Sequence, residues 1–190
     1  VTGSAPFDID YIVSNKPSGS IRMLTNLLVE GPNGGNAITL TNATDILDLN
    51  GNTLTLGEAN VASVFTGSGF IRGGSTSSIS IQGTGALGTI RFDQSVLGTS
   101  NVLNNLTINR TSGSVTIGNP LNIIGLITVT AGTLESGGNI TLKSNANGTA
   151  QVAAIGSGGS ITGNVTVERF IPSGKRAFRL LSPAVTTTTF

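Results

Sequence analysis

The 190-residue chain contains neither histidine nor cysteine, and this limits the chemistry that its side chains can perform. Without histidine there is no Ser-His-Asp triad and no imidazole base. Without cysteine there are no thiolate nucleophiles and no thiolate metal sites. Catalysis or metal binding would therefore depend on carboxylates. The chain has nine of them: Asp8, Asp10, Glu30, Asp45, Asp48, Glu58, Asp93, Glu135 and Glu168.

The densest group of oxygen ligands is formed by Asp45 and Asp48, with Asn42 and Asn50 on either side. Carboxylate and amide oxygens are suitable ligands for Ca²⁺, which makes Asp45 and Asp48 weak calcium candidates. Neither an EF-hand loop nor the glycine- and aspartate-rich repeat of calcium-binding β-helices is present. We therefore expect solvated corner residues here, and we assign no catalytic residue, no metal and no cofactor.

Two further pairs have spacings that could support chemistry. Asp8 and Asp10 share one face of a predicted strand, where simple exposed alternation explains them. Arg91 and Asp93 flank Phe92, and an acid with a basic residue on one sheet is the arrangement expected of a polysaccharide lyase or hydrolase built on a β-helix. Because a fold does not imply a function, this pair gives only an alternative enzymatic hypothesis.

Threonine pairs spaced by one residue could form a flat ice-binding face. They occur at unequal intervals, and outward-facing β-formers explain them as well. The pairs are Thr39/Thr41, Thr53/Thr55 and Thr128/Thr130.

The composition excludes several broader classes. Charged residues make up 10% of the chain and the net charge is +1, so no basic footprint for nucleic acid is present. No apolar run approaches the roughly 20 residues of a membrane helix. The first four residues lack the features of a signal peptide, which indicates a cytosolic protein or a processed, internal piece.

The elements that would position these residues are short strands. Eight triplets consist of an aliphatic residue, a Ser or Thr, and a second aliphatic residue, and alternation directs both aliphatic side chains to one face. Gly and Asn residues separate the triplets and predict corners. The triplets begin at Ile38, Leu54, Ile79, Leu106, Val115, Ile127, Ile140 and Val165.

Such short strands fit either an antiparallel β-sandwich or a parallel β-helix. Three strands and three corners make a rung of roughly 20 to 25 residues, which is the repeat scale of solenoids. Leu54, Ile79 and Leu106 are spaced in about that way. Stacked rungs would also align like charges, so Ser and Thr outside explain the low charge content. We therefore predict an all-β, right-handed parallel β-helix, with the sandwich as the alternative.

Both ends of a solenoid need caps because a rung cannot bury its apolar face alone. We assign residues 1–20 to a lead-in or capping strand, 21–167 to the β-solenoid and 168–190 to a C-terminal cap or a junction with a following β module. In the segment 168–190, cations would discourage pairing at the strand edges and Phe side chains would cover the last rung. The alternative is that this segment is a cationic anchor for a polyanion. The cap or junction residues are Arg169, Phe170, Lys175, Arg176, Phe178 and Arg179.

The second half of the chain resembles a known group of proteins. Four segments carry the resemblance: Asn105–Arg110 (NLTINR), Gly138–Ala150 (GNITLKSNANGTA), Gly163–Pro172 (GNVTVERFIP) and Lys175–Pro183 (KRAFRLLSP). Together they resemble the repetitive regions of very large, adhesin-type secreted and cell-surface proteins of Bacteroidetes that are exported by the type IX secretion system. The resemblance is specific over about residues 104–185. The residues before them resemble β-helix proteins only in general.

The resemblance implies a non-enzymatic structural or adhesive segment of a much longer polypeptide, secreted or displayed at the cell surface after export across the outer membrane. It implies the type IX secretion machinery as a partner during export, and surface glycans or other cell-surface proteins as partners afterwards. The chain would be a fragment. A carbohydrate-active or carbohydrate-binding β-helix is the alternative, and an ice-binding face is the third hypothesis.

Overall fold

The structure is a computed structural model that describes residues 6–173, and within them it contains strands and no helix. In the first half the strands are β1 Phe7–Ile9, β2 Ile12–Ser14, β3 Ser20–Arg22, β4 Leu27–Val29, β5 Gly35–Leu40, β6 Ile46–Asp48, β7 Thr53–Leu56, β8 Ser63–Gly67, β9 Phe70–Arg72, β10 Ser78–Thr84 and β11 Gly88–Ile90. In the second half they are β12 Val102–Leu103, β13 Asn105–Ile117, β14 Leu121–Ile123, β15 Leu126–Glu135, β16 Ile140–Leu142, β17 Ser144–Asn145, β18 Gly148–Thr149, β19 Gln151–Val152, β20 Gly158–Thr162 and β21 Val165–Val167.

These strands form a β-solenoid of about six turns with three faces. Face A consists of β1, β4, β7, β10, the first half of β13, the first half of β15, and β19. Face B begins with β2, β5 and β8 and continues through β11 into the second halves of β13 and β15 and then β20. Face C contains β3, β6 and β9, then Phe92, then β12, β14, β16 and β21.

Nearly all neighbouring strands are parallel, which confirms the predicted parallel β-helix over the sandwich. The exception is the small antiparallel hairpin of β17 and β18. All eight predicted triplets lie in strands, and their aliphatic side chains point inward while the hydroxyls point outward.

One inward column shows how the rungs stack. Successive members pair directly on face A, and their separation in the chain ranges from 20 residues between Phe7 and Leu27 to 27 residues between Leu27 and Leu54. The predicted trio of Leu54, Ile79 and Leu106 belongs to this column, in that order. The complete column is Phe7, Leu27, Leu54, Ile79, Leu106, Ile127 and Val152.

The predicted lead-in segment supplies the first rung. Residues 7–9 and 12–14 form β1 and β2, which are in register with β4 and β5 of the second rung. The segment Arg22–Glu30, which is compatible with either a strand or a single turn, contributes β4. Packing against the rung below therefore fixes β structure in segments whose local sequence leaves the choice open.

The corner between faces A and B is made inside the strands β13 and β15. The register between them shifts near Asn109, and Gly132 has a φ of 86°. A Cβ at Gly132 would lie 2.2 Å from the carbonyl oxygen of Arg110, so this corner requires glycine.

Candidate functional site

Face C carries a charged ladder of Arg22, Asp48, Arg72 and Asp93. Asp48 pairs with Arg22 in the rung before it and with Arg72 in the rung after it. The Arg72 Nε lies 2.6 Å from Asp93 Oδ2, whereas the Arg22 Nε lies 3.9 Å from Asp48 Oδ2. Alternating signs avoid the repulsion that a column of like charges would create. The ladder is therefore a structural solution for placing charge on stacked rungs.

Asp93 is the most firmly held member of this ladder. Besides the bond from Arg72, its carboxylate accepts hydrogen bonds from the N–H and the hydroxyl of Ser95, at 2.9 and 2.8 Å. Burial raises the pKa of Asp93, but these hydrogen bonds and the Arg72 charge outweigh it and hold the pKa below its ordinary value. Asp93 is therefore ionised at neutral pH and is unsuited to act as a general acid.

Asp45 lies in the corner before β6 and is buried. Its carboxylate accepts hydrogen bonds from the backbone N–H groups of Lys16 and Asn42, at 2.7 and 2.8 Å, and from the Ser14 hydroxyl at 2.8 Å. Burial raises its pKa, but these donors lower it more, so the pKa lies below its ordinary value. The oxygens thus serve to hold two rungs together rather than to face solvent.

The structure separates the weak calcium candidates. Asp45 faces donors inside its corner, and Asp48 lies on the outer side of β6, where it also accepts a hydrogen bond from the Asn50 N–H. Within residues 6–173 no three Asp or Glu side chains come close enough together to hold a metal ion. The Asp48 carboxylate is shared between Arg22 and Asn50, as expected of a surface ladder.

The enzymatic hypothesis placed Arg91 and Asp93 together. The structure puts Asp93 on the face C ladder, while the Arg91 guanidinium donates to the carbonyl oxygen of Gly67 at 3.2 Å. Asp48 and Asp93 do share one face with Arg72, but ion pairs and hydrogen bonds already occupy them. These contacts can stabilise the stacking of the rungs on face C.

The most unusual charged residue is Arg110, which sequence reasoning missed as a core residue. Its side chain is 0% exposed. It donates to the carbonyl oxygens of Gly85 at 2.5 Å and Gln82 at 2.6 Å, and to both the carbonyl and the hydroxyl of Ser63. Burial lowers its pKa, although arginine remains charged. Arg110 therefore links three rungs at the corner between faces A and B.

The strand pattern contained the signal for Arg110. Leu106 and Ile108 point inward, and alternation places Arg110 on the same side. Its guanidinium is satisfied because the corner turns backbone carbonyls toward it. Every buried side-chain nitrogen and oxygen atom among residues 6–173 likewise has a hydrogen-bond partner.

Face A presents a straight outward file of hydroxyls. Thr55, Ser80, Thr107 and Thr128 pair directly from rung to rung. A parallel file of Thr53, Ser78 and Asn105 lies beside it. Neighbouring strands are about 4.8 Å apart, so the files form an uncharged lattice of donors and acceptors.

The three threonine pairs do not share one face. Thr53/Thr55 and Thr128/Thr130 belong to face A, but Thr39 lies on face B, where its hydroxyl is 3.0 Å from that of Thr66. Only Thr55 and Thr128 occupy the same file. Face A therefore carries two files of mixed composition, one of Ser and Thr and one of Thr, Ser and Asn, and not the regular double array of Thr that the ice-binding hypothesis requires.

Several acidic residues lie close together beside the first rungs of face A. Asp8 lies on β1, and Asp10 follows that strand, next to Glu30 in the second rung. Repulsion from the Asp8 carboxylate, with a smaller contribution from burial and from Glu58, raises the pKa of Glu30. The predicted carboxylate pair is therefore part of a larger group with unfavourable mutual repulsion.

The C-terminal rung ends in a groove of about 420 Å³. Val152, Val167 and Arg169 line it, and Arg169 and Phe170 are exposed. Lys143 forms an ion pair with Glu168, and the pKa of Glu168 is lowered mainly by this bond. The other predicted cap residues, Lys175, Arg176, Phe178 and Arg179, lie outside the described residues.

Comparisons with known proteins give no relative. A scan against family models found no match, and neither the curated proteins nor the solved structures yielded one. Within residues 6–173 no helix has the length and apolar character needed to cross a membrane.

Proposed function

We propose that the chain is a non-enzymatic structural or adhesive segment of a large secreted or surface-displayed bacterial protein. The observation that carries this proposal is the use of polar side chains on the outer faces. They stack in register from rung to rung, as in the file from Thr55 to Thr128, or hold neighbouring rungs together, as Arg72 and Asp93 do. A rigid stack of this kind suits a stalk that holds a binding surface away from the cell.

The resemblance of residues 104–185 to type IX secretion substrates supports export across the outer membrane. The secretion machinery is then the partner during export. In the mature protein, surface glycans or other cell-surface proteins are the partners, and face A offers them an uncharged lattice of hydroxyl and amide groups.

Antibody labelling of intact cells of the source organism tests this localisation. The expected result is labelling of intact cells and loss of the signal after protease treatment. A strain with an inactivated type IX translocon should retain the parent protein inside. Detection only in the cytosol of unmodified cells would contradict the proposal.

Carbohydrate binding is a second candidate function, favoured by the two polar files on face A. Hydroxyl and amide groups at regular spacing match the hydrogen-bonding groups of a neutral polysaccharide. Affinity electrophoresis in gels containing neutral polysaccharides measures this binding, and Thr107→Arg is expected to abolish the retardation. Thr166→Arg on face C is the matched control, since Thr166 is also an outward, exposed residue of a stacked triplet. Equal retardation of both variants would exclude face A as the binding surface.

A further inference from the structure

The chain contains three Asn-Gly pairs, which begin at Asn33, Asn50 and Asn147. Asparagine is a chemically labile residue. It is most labile before glycine, because glycine has no side chain to obstruct the approach of its backbone nitrogen to the asparagine side chain. The sequence gives the three pairs the same chemistry, whereas the structure gives them different surroundings.

Asn50 lies in the corner between β6 and β7, where neighbouring rungs hold both reacting groups. Its side-chain nitrogen donates to the carbonyl oxygen of Met23 at 3.0 Å, and its side-chain oxygen accepts a hydrogen bond from Arg22. The backbone nitrogen that would attack, that of Gly51, donates to the Ser77 hydroxyl at 3.1 Å. This pair can therefore react only after contacts with two other rungs are broken.

Asn33 precedes β5, and one of its two reacting groups is held. Its side chain is exposed. The attacking nitrogen, that of Gly34, donates to the carbonyl oxygen of Ala62 in the next rung at 2.6 Å. Because this hydrogen bond must break before the nitrogen can attack, the pair is partly protected.

Asn147 lies at the tip of the β17–β18 hairpin, which projects from the corner between β16 and β19. The chain leaves the rung at Lys143 and returns at Ala150, whose backbone N–H donates to the Lys143 carbonyl oxygen at 2.8 Å. Residues 144–149 therefore extend outward instead of completing the corner.

The base of this hairpin is covered on both sides. The Gln151 N–H donates to the carbonyl oxygen of Gly125 in the preceding rung at 2.9 Å. The Phe170 N–H, which follows β21, donates to the Ser144 hydroxyl at 2.9 Å. The exposure of Asn147 therefore follows from the projection of the hairpin and not from its place near the end of the solenoid.

Both reacting groups of the Asn147 pair are accessible. In the part of the chain that the structure describes, no hydrogen bond engages the Asn147 side-chain amide, and its backbone N–H donates to the side-chain oxygen of Asn145 at 2.8 Å. A Cβ at Gly148 would meet no atom within 4 Å, so the space around the attacking nitrogen is open. A hairpin this small is marginally stable by itself, and its tip opens at little cost.

We propose that Asn147 is a site of spontaneous chemical modification and that the stacking of rungs protects Asn33 and Asn50. The backbone nitrogen of Gly148 attacks the side-chain carbonyl carbon of Asn147 and closes a succinimide ring. The side-chain nitrogen leaves as ammonia and takes the proton that the backbone nitrogen loses. Water then opens the ring at either carbonyl group and gives aspartate or isoaspartate.

The overall change exchanges ammonia for water and replaces an uncharged side chain with a carboxylate. The formal net charge of the chain, which is +1, therefore falls by one. The modification does not depend on the adhesive function proposed above.

Peptide mapping by mass spectrometry tests the proposal on the purified 190-residue chain, incubated at physiological temperature and mildly alkaline pH. Asn147 is expected to react at least about tenfold faster than Asn50, because Asn50 must first lose its hydrogen bonds to two rungs. Asn33 should react at an intermediate rate. Asn147→Gln should remove the acidic form that accumulates first in isoelectric focusing, because the longer side chain does not form the same ring.

The same chain in denaturant provides the reference rates. The three pairs should then react at rates within about threefold of one another, because the unfolded chain has no rungs to protect them. Unfolding should therefore accelerate the reaction of Asn50 far more than that of Asn147.

Arg22→Ala tests the protection directly, because it removes one hydrogen bond to the Asn50 side chain. The reaction of Asn50 is expected to become roughly two- to tenfold faster, while that of Asn147 stays the same. Arg91→Ala is the matched control, since Arg91 donates to Gly67 and to none of the three pairs, and it should leave all the rates unchanged. Circular dichroism verifies that both variants fold.

Two results would overturn the proposal. The first is a reaction at Asn147 in the folded chain that is no faster than the reactions at Asn33 and Asn50. The second is a rate at Asn50 that neither Arg22→Ala nor denaturant increases, which would show that neighbouring rungs do not protect it. If Arg22→Ala fails to fold, the comparison of folded and denatured wild type decides the second point.

Discussion

The middle rungs and the first rung of this solenoid are built from similar short strands, yet different contacts hold them in place. In the middle, the column residues Leu54, Ile79 and Leu106 are almost completely buried, and Arg110 ties three rungs together at the corner. In the first rung, the corresponding residue is Phe7, which is exposed on one side. The comparison shows that the stability of a rung depends on its neighbours as much as on its own sequence.

The carboxylates of the middle rungs and those near the N-terminal end also differ, in the direction of their pKa shifts. In the rungs from Ser14 to Asp93, the buried carboxylates accept several hydrogen bonds, which lower the pKa of Asp45 and Asp93. At the N-terminal end, Glu30 faces other acids and its pKa is raised. Central carboxylates therefore stabilise the fold when ionised, whereas the terminal group stabilises it when protonated.

Replacement of Arg110 should have the largest effect. Arg110→Ala is expected to lower the free energy of unfolding by roughly 3 to 5 kcal/mol, because several hydrogen bonds to a charged group are lost and carbonyl oxygens stay buried without partners. Denaturant titration measures the loss. Arg91→Ala is the control, because it removes one hydrogen bond to Gly67 and should cost less than about 1 kcal/mol. Equal losses in both variants would show that Arg110 does not link the rungs.

The inward column offers a direct test of position. Leu54→Ala should cost about 2 to 5 kcal/mol, because it leaves a cavity between two rungs. Phe7→Ala, in the same column, should cost less than about 1 kcal/mol, because most of its side chain is already exposed. Thermal unfolding gives both values. A large loss for Phe7→Ala would mean that the first rung is as well packed as the middle.

The face C ladder allows a comparison within one column. Asp93→Asn should destabilise the fold by about 1 to 3 kcal/mol at neutral pH, because it weakens the bonds from Arg72 and Ser95. Asp48→Asn should cost about 0 to 1 kcal/mol, since its pair with Arg22 is long and partly exposed. The pKa of Asp93 in the folded state is below the ordinary 3.8. The wild-type protein is therefore more stable than Asp93→Asn by the full amount above pH 3.8, and this difference in stability disappears as the pH falls through the lowered pKa. If wild type and Asp93→Asn still differed as much in stability at acidic pH, the ionised Asp93 carboxylate would not be the source of the difference.

The smallest effect is expected for Glu30, and it has the opposite sign. Its pKa in the fold is above the ordinary 4.5, so its contribution to stability is fully present below pH 4.5 and is lost as the pH rises through the raised value. Glu30→Gln should therefore slow hydrogen exchange in β1 and β4 at neutral pH and have little effect in acid. Glu58→Gln, which removes a weaker source of the same repulsion, should act in the same direction but less strongly.

The rung architecture was predictable because it follows from local alternation and repeat spacing. The triplets lie in strands, and the Leu54, Ile79 and Leu106 column was anticipated from their separation alone. The face C ladder was not anticipated, because Arg22, Asp48 and Arg72 become neighbours only through the register between rungs. The chemistry proposed for Arg91 and Asp93 treated them as a pair along the chain, whereas their contacts are with Gly67 and Arg72.

By itself the sequence determined that the chain forms short strands with aliphatic residues on one side and hydroxyls on the other, since alternation needs no information from distant residues. Only the tertiary structure decided which strands lie side by side, how β13 and β15 turn a corner, and why Arg110 can be buried. The physical reason is that register between rungs is set by packing across 20 to 27 residues of chain. That packing supplies the carbonyl oxygens that surround Arg110, and it buries Leu54 between two neighbouring rungs.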